Sequence, residues 1–232
     1  MKTLIVIPAY NEGESIYNVI TSVKSIDADA DILVVDDGSH DDTETQSLQA
    51  EARVVSLPLN LGIGGAVQTG YIYAMKHGYD CVVQIDGDGQ HDPRDLRKIL
   101  SAVESGQADM VIGSRFIEKT SYTPSFSRKM GILYFSKLVS LLAGQTVTDT
   151  TSGYRAANRR VIELFAKYYP NDYPEAETIV YIAKNNLKIK EISVDMRERT
   201  AGKSSITPLK SLYYAIKVTL CLLLTKKEGA AS

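Results

Sequence analysis

The chain has 232 residues, 44% of them apolar, enough to bury a core as one large α/β domain or two small ones. Its 26 Lys and Arg against 28 Asp and Glu leave a formal charge of −2, so no whole-molecule field argues for nucleic acid and any basic site is local. Cys81 on a predicted buried strand and Cys221 in a late apolar helix provide neither a disulfide framework nor a cysteine zinc cluster, and fit a reducing, cytosolic setting.

The opening "MKTLIVIPAYNE" reads as a strand at 3–9, because its apolar run is short for a signal peptide and is cut by Pro8. Further β-branched runs at 31–37, 53–57, 81–86 and 109–114 alternate with helical patterns. Ile16, Val19, Ile20 and Val23 share a helix face, residues 63–77 predict a second helix, and a third begins near Pro93. Strands apolar almost throughout predict an open, mainly parallel α/β sheet flanked by helices, which binds ligands beyond the carboxyl ends of its strands. "PAYNE", "DDGSHDD" and "DGDGQHD" fall at three such ends.

Past Arg115 the pattern changes. Residues 116–127 predict a mobile loop, 131–144 an apolar helix, "TDTTSGYRAANRRVIELF" a loop entering a helix, "KIKEISVDM" a late strand and "RERTAGKSS" another loop. Residues 208–232 predict an amphipathic helix, too short and too interrupted by lysine for a membrane span of roughly 20 residues. No repeat or linker divides the chain, so one domain over 1–207 followed by this helix is the simplest organisation.

Asp86 and Asp88, two apart at a strand end, both turn toward a ligand only if the chain leaves strand geometry, which Gly87 and Gly89 permit. Their hard oxygens suit Mg²⁺ or Mn²⁺. An EF-hand is excluded, since His91 and Arg97 stand where its Gly and Glu belong, and a solvated polar turn is the bland alternative. In "DDGSHDD", Gly38 makes a bend and Ser39 or Asp41 caps the next helix, while the acids are also able to accept hydrogen bonds from a ribose or base. "NLGIGGAVQTG" lacks the dinucleotide spacing, and "AGKSS" has Arg197 in place of a phosphate loop's leading glycine. Arg115, Arg128, Arg155, Arg199 and Lys203, each alone an ordinary surface charge, together suffice for one or two phosphates. His40, His77 and His91 have no nucleophile beside them in sequence, which argues against a hydrolase triad, and Asp92 reads as the N-cap of the helix at Pro93.

In order, "VIPAYNE", "VVDDGSHDDT", "NLGIGGA", "DGDGQHDP", "IGSRF", "DTTSGYR" and "RERTAGKSS" resemble the family 2 glycosyltransferases, and the later motifs resemble the polyprenyl-phosphate sugar synthase (dolichyl-phosphate mannose synthase-like) branch. The resemblance implies a GT-A fold, a nucleotide-sugar donor and Mg²⁺ or Mn²⁺. It places Pro8, Tyr10, Glu12 and Asp37 at the nucleoside and Asp86, Asp88 and Gln90 at the metal and diphosphate. Arg115, Arg128, Arg199 and Lys203 match a phosphate clamp, and Asp149, Ser152 and Arg155 line the transfer site. Within the branch, the chain looks like bacterial enzymes that load GlcNAc or glucose onto undecaprenyl phosphate for cell-wall polysaccharide, working at the inner face of the cell membrane. Many relatives carry transmembrane helices and this chain has only the amphipathic candidate, which raises direct membrane contact, a small membrane-protein partner or a homo-oligomer. The alternatives are transfer to a saccharide hydroxyl with Asp149 or Asp92 as base, a sugar-1-phosphate nucleotidyltransferase, disfavoured by the absence of a glycine-rich basic loop after the first strand, and an inactive nucleotide-sugar-binding scaffold.

Overall fold

The computed structural model describes residues 1–27, 30–118, 126–171, 173–196 and 208–225. In chain order the elements are β1 (Thr3–Ala9), α1 (Ile16–Ile26), β2 (Asp31–Asp36), α2 (Thr43–Gln49), β3 (Arg53–Ser56), α3 (Gly62–Lys76), β4 (Cys81–Gln84), α4 (Leu96–Glu104), β5 (Met110–Ser114), α5 (Phe126–Ala143), β6 (Arg155–Asn158), α6 (Arg159–Lys167), α7 (Pro174–Lys184), β7 (Ile189–Ser193) and α8 (Pro208–Leu224). A short 3-10 turn, Pro93–Asp95, leads into α4, and Asp92 caps it by accepting from the Arg94 N–H at 3.0 Å.

The seven strands form one sheet in the order β3-β2-β1-β4-β6-β5-β7. Neighbours run parallel except β6, which is antiparallel to both β4 and β5. Successive residues of a strand face opposite sides, so β1 sends Leu4 and Val6 into one apolar layer and Ile5 and Ile7 into the other. The first layer holds Tyr71 of α3, Phe165 of α6 and Ile179 of α7, and the second holds Ile16 and Ile20 of α1 with Ile99 of α4. Both faces are thus covered, as the apolar strands predict.

Two elements differ from the sequence reading. The segment read as a loop entering a helix contains β6, whose "RAAN" has no β-branched or aromatic residue; pairing on both sides imposes the strand conformation. Helix α7 was not anticipated, although Pro174 at its start, Glu175 and Glu177 in its first turn and buried Ile179, Val180 and Ile182 are its signals. Helix α8 lies against α5 and α7, burying Val218 and Leu222, while Ile216, Leu220, Leu223 and Leu224 stay exposed. Among the described residues, no helix is long and apolar enough to cross a membrane.

Candidate active site

The carboxyl ends of β1, β2 and β4 open on one cavity of about 400 Å³. Pro8, Tyr10, Glu12, Asp37, Asp86 and Asp88, all singled out from sequence, line it together with Asn60, Gly62, Ile63 and Glu175. Topology explains the convergence: three adjacent parallel strands end at the same edge, and each continues into one of the acidic loops.

Local bonding fixes the loops. The β1 loop is laced to the β2 loop, with the Asn11 N–H donating to Ser39 Oγ at 2.9 Å, the Glu12 N–H to Thr43 Oγ1 at 2.9 Å and the Gly13 N–H to Asp41 Oδ2 at 3.0 Å. Gly38 makes the bend at φ 72°, and Asp41 Oδ1 accepts from the Thr43 N–H at the start of α2. Buried Asp37 accepts the Leu61 N–H at 2.7 Å and the Gly62 N–H at 2.9 Å, so it ties the start of α3 to the cavity wall. After β4 the turn depends on Gly89 at φ 75°, whereas Gly87 has no left-handed backbone and its conformational freedom is not needed. The Gln90 N–H closes this turn on Asp88 Oδ1 at 3.1 Å; Gln90 itself is not among the cavity's lining residues.

Asp86 is enclosed from two sides. A Cβ on Gly153 would stand 2.5 Å from Asp86 Oδ1, so only glycine there leaves the carboxylate its place. Beneath it lies fully buried His91, whose Nε2 is 3.5 Å from Asp86 Oδ2 and whose Nδ1 accepts the Asp86 N–H at 3.1 Å. Burial lowers the proton affinity of His91 against the opposing charges of Asp86 and Asp88. Neither Gly153 nor His91 was assigned from sequence: Gly153 meets Asp86 from a loop far along the chain, and His91, only five residues from Asp86, folds back under it in a way the spacing does not reveal.

The residues matched to the transfer motif make a different set of contacts. Arg115 and Asp149 form a buried, two-pronged pair at 2.7 Å on each prong, and Arg115 also donates to Thr151 Oγ1. Burial opposes ionisation of Asp149, but the hydrogen bonds and charge of Arg115, with backbone donors, outweigh it and hold the carboxyl below its ordinary range. Arg155 is fully buried beneath the cavity, donating to Ser152 O, Thr178 Oγ1 and Glu175 O. Ser152 is buried and its Oγ accepts from the Tyr154 N–H at 3.3 Å. Asp149, Ser152 and Arg155 are buried and engaged with other residues and are not among the cavity's lining residues, though Arg155 holds the backbone of Glu175, which is. Arg128 lies in the first turn of α5, its side chain outside what the structure describes, and Arg199 and Lys203 lie outside the described residues.

Sequence reasoning missed Glu175, which α7 brings to the cavity. Loss of hydration raises its proton affinity, opposed by Arg155 and reinforced by Asp86.

An acid-lined cavity beyond three parallel strands, in a seven-stranded sheet with one antiparallel insertion, defines a fold of the GT-A type. The chain is similar over its whole length to glucosyl-3-phosphoglycerate synthase from Mycobacterium tuberculosis, solved in complex with Mn²⁺, uridine diphosphate and glucosyl-3-phosphoglycerate, with a TM-score of 0.72, 23% identity and 81% of that chain covered. The glycosyl transferase family 2 pattern matches residues 4–165, and the chain belongs to that family and is a glycosyltransferase. Its relatives include the undecaprenyl-phosphate mannosyltransferase of Micrococcus luteus, 33% identical over 217 residues, covering 89% of this chain and 88% of that protein. A second is the UDP-N-acetylglucosamine–dolichyl-phosphate N-acetylglucosaminyltransferase of Methanococcus voltae, 30% identical, covering 82% of this chain and 83% of that one.

Proposed function

We propose that the chain moves a sugar from a nucleotide-sugar donor, UDP-GlcNAc or UDP-glucose, to undecaprenyl phosphate with inversion, yielding a lipid-linked sugar for cell-wall polysaccharide. The observation that carries this is the convergence of Tyr10, Asp37, Asp86 and Asp88 on one cavity, in a chain whose relatives are named for transfer to polyprenyl phosphates.

Asp86 and Asp88 fit a divalent cation. Their donors are hard oxygens lining the cavity, so a cation there completes its coordination with diphosphate and water oxygens. Gln90 serves by closing the turn that sets Asp88. When bound, Mg²⁺ or Mn²⁺ supplies Lewis-acid stabilisation of the departing diphosphate. The β1 loop and Asp37 hold the nucleoside, and Glu175 contacts the donor sugar.

The acceptor needs no general base. A phosphate monoester with a second pKa of about 6 is mostly dianionic at neutral pH, so its oxygen attacks the anomeric carbon directly. Both bases considered for a hydroxyl acceptor are engaged elsewhere: Asp149 with Arg115, and Asp92 with Arg94 and the cap of the 3-10 turn. Arg115 acts by fixing the Asp149 loop, which leaves the phosphate clamp to Arg128, Arg199 and Lys203. The open apolar faces of α5 and α8, with Leu133 and Leu141 on one and Leu220 and Leu223 on the other, bring the site to the inner membrane face, directly or through a small membrane-protein partner.

The test is a panel of nucleotide sugars with undecaprenyl phosphate, with and without EDTA, followed by mass spectrometry of the extracted lipid. A sugar-bearing lipid formed only without EDTA is expected, and a water-soluble disaccharide overturns the reading. One observation favours a second reading, transfer to a saccharide hydroxyl. Glu175 faces the cavity with raised proton affinity, as a general base does. In that case Glu175→Gln abolishes transfer to a soluble sugar, whereas a lipid-phosphate acceptor tolerates it with a weakened KM for donor.

A further inference from the structure

Resting on the reading of Asp86 as a cation ligand, we propose that His91 is its positioning residue: the His91 Nε2–H holds the Asp86 carboxylate in the orientation presented to the cavity. Three observations carry it. First, His91 Nδ1 accepts the Asp86 N–H at 3.1 Å, so the ring is the neutral tautomer whose one proton sits on Nε2. Second, that Nε2 is buried without a hydrogen-bond partner and lies 3.5 Å from Asp86 Oδ2. The gap exceeds a formed bond, yet the last torsion of an aspartate is soft, and a small rotation of the carboxyl closes it. Third, the ring has no freedom of its own. It stacks on Tyr154 at 4.8 Å with planes 16° apart, and its backbone pairs with Met196 in an isolated antiparallel bridge.

The "SGY" of the transfer motif thereby gains a physical account. Gly153 leaves the space that Asp86 Oδ1 fills, and Tyr154 is the platform that aims His91 at Oδ2. A carboxylate bonded at Oδ2 and seated at Oδ1 in the space left by Gly153 is oriented before the cavity fills, so less order has to be imposed on binding. Hydrogen-bond partners of ligating side chains typically account for 10–100-fold in metal affinity.

The experiment titrates Mn²⁺ into protein with saturating UDP, followed by paramagnetic resonance of the free ion, alongside Tm. His91→Asn keeps an acceptor for the Asp86 N–H but cannot reach the carboxylate, and His91→Phe keeps the stack but has no donor. His91→Gln extends an amide N–H to about the Nε2 position. Expected is a loss of Mn²⁺ affinity of about 10–100-fold in His91→Asn and His91→Phe, with His91→Gln within a few-fold of wild type and UDP binding without metal unchanged in all three. Should Asn and Phe bind Mn²⁺ like wild type, or Gln lose as much as they do, His91 is packing alone and the proposal falls. Asp88→Ala separates the two levels. If wild type binds no Mn²⁺, or Asp88→Ala binds it equally well, the metal reading itself fails and this inference with it.

Discussion

Gly153 makes the sharpest statement at the scale of single residues, because its role is the absence of an atom. An added Cβ would lie 2.5 and 2.7 Å from the two Asp86 oxygens, and Gly153 does not have a left-handed backbone that would by itself resist alanine. Gly153→Ala is therefore expected to cut turnover by about 10²-fold through displacement of Asp86, with little change in Tm. Gly131→Ala, inside α5 where nothing stands within 4 Å, is the control that leaves turnover unchanged and raises Tm slightly through its better helix propensity. A Gly153→Ala enzyme with lowered Tm and intact turnover would assign the glycine to packing. The Arg115–Asp149 pair makes a different prediction. Both side chains are buried, so Arg115→Met strands a carboxylate, at a cost of about 3–5 kcal/mol and a Tm lower by about 10 °C at pH 7. In wild type the Asp149 carboxyl sits below its unfolded value near 3.9, so its stabilisation is present above about pH 4 and is lost as the pH falls through the folded value. In the variant, burial without a partner raises that value instead, so Asp149 takes up a proton on mild acidification. The Tm gap between the two proteins should narrow from pH 7.5 to pH 5, and an equal gap at both would refute the ionic account.

Among the elements, those with long apolar patterns were legible and those shaped by their partners were not. Strands β1, β2 and β4 announce themselves because a buried parallel strand must be apolar on both faces. Strand β6 hides in "RAAN", since its conformation comes from β4 and β5 and not from its own side chains. Helix α8 was read as amphipathic, and the structure refines that pattern: Val218 and Leu222 form a face buried on α5 and α7, and Ile216, Leu220, Leu223 and Leu224 form a second apolar face open to the outside. Tyr134 of α5 and Thr219 of α8, hydroxyls 3.0 Å apart, join the two helices beside that open face. The two faces separate stability from membrane binding. Leu220→Glu with Leu223→Glu should leave Tm within about 2 °C, as exposed substitutions do, and abolish flotation with anionic vesicles. Val218→Asp should lower Tm while leaving the open face intact. Unchanged flotation of the double variant would remove α8 from membrane attachment.

At the scale of the whole molecule, the cavity exists because a parallel sheet aligns strand ends that are 28 to 77 residues apart in the chain, as between Ala9, Asp37 and Asp86. The acids could be read from sequence because each follows an apolar strand directly. Glu175 and Gly153 could not, since α7 brings one to the cavity and the turn before β6 brings the other against Asp86, positions that only the assembled sheet defines, and His91 could not because its fold back under Asp86 is set by the loop's turn and its stack on Tyr154. One consequence belongs to the molecule as a unit. Since β1, β2, β4, α3 and α7 all contribute to the wall, a ligand bound there stabilises elements from both halves of the chain against unfolding. Ligand at 100 times its Kd adds about 2.7 kcal/mol, which for a domain of this size raises Tm by about 5–10 °C. The part of the shift that depends on Mn²⁺ should require UDP as well, because Asp86 and Asp88 alone supply too few oxygens to hold the cation tightly. Asp88→Asn is expected to keep whatever shift UDP gives by itself and to lose the part that depends on Mn²⁺. A full shift from Mn²⁺ without nucleotide, or a metal-dependent shift that survives in Asp88→Asn, would place the cation elsewhere on the chain.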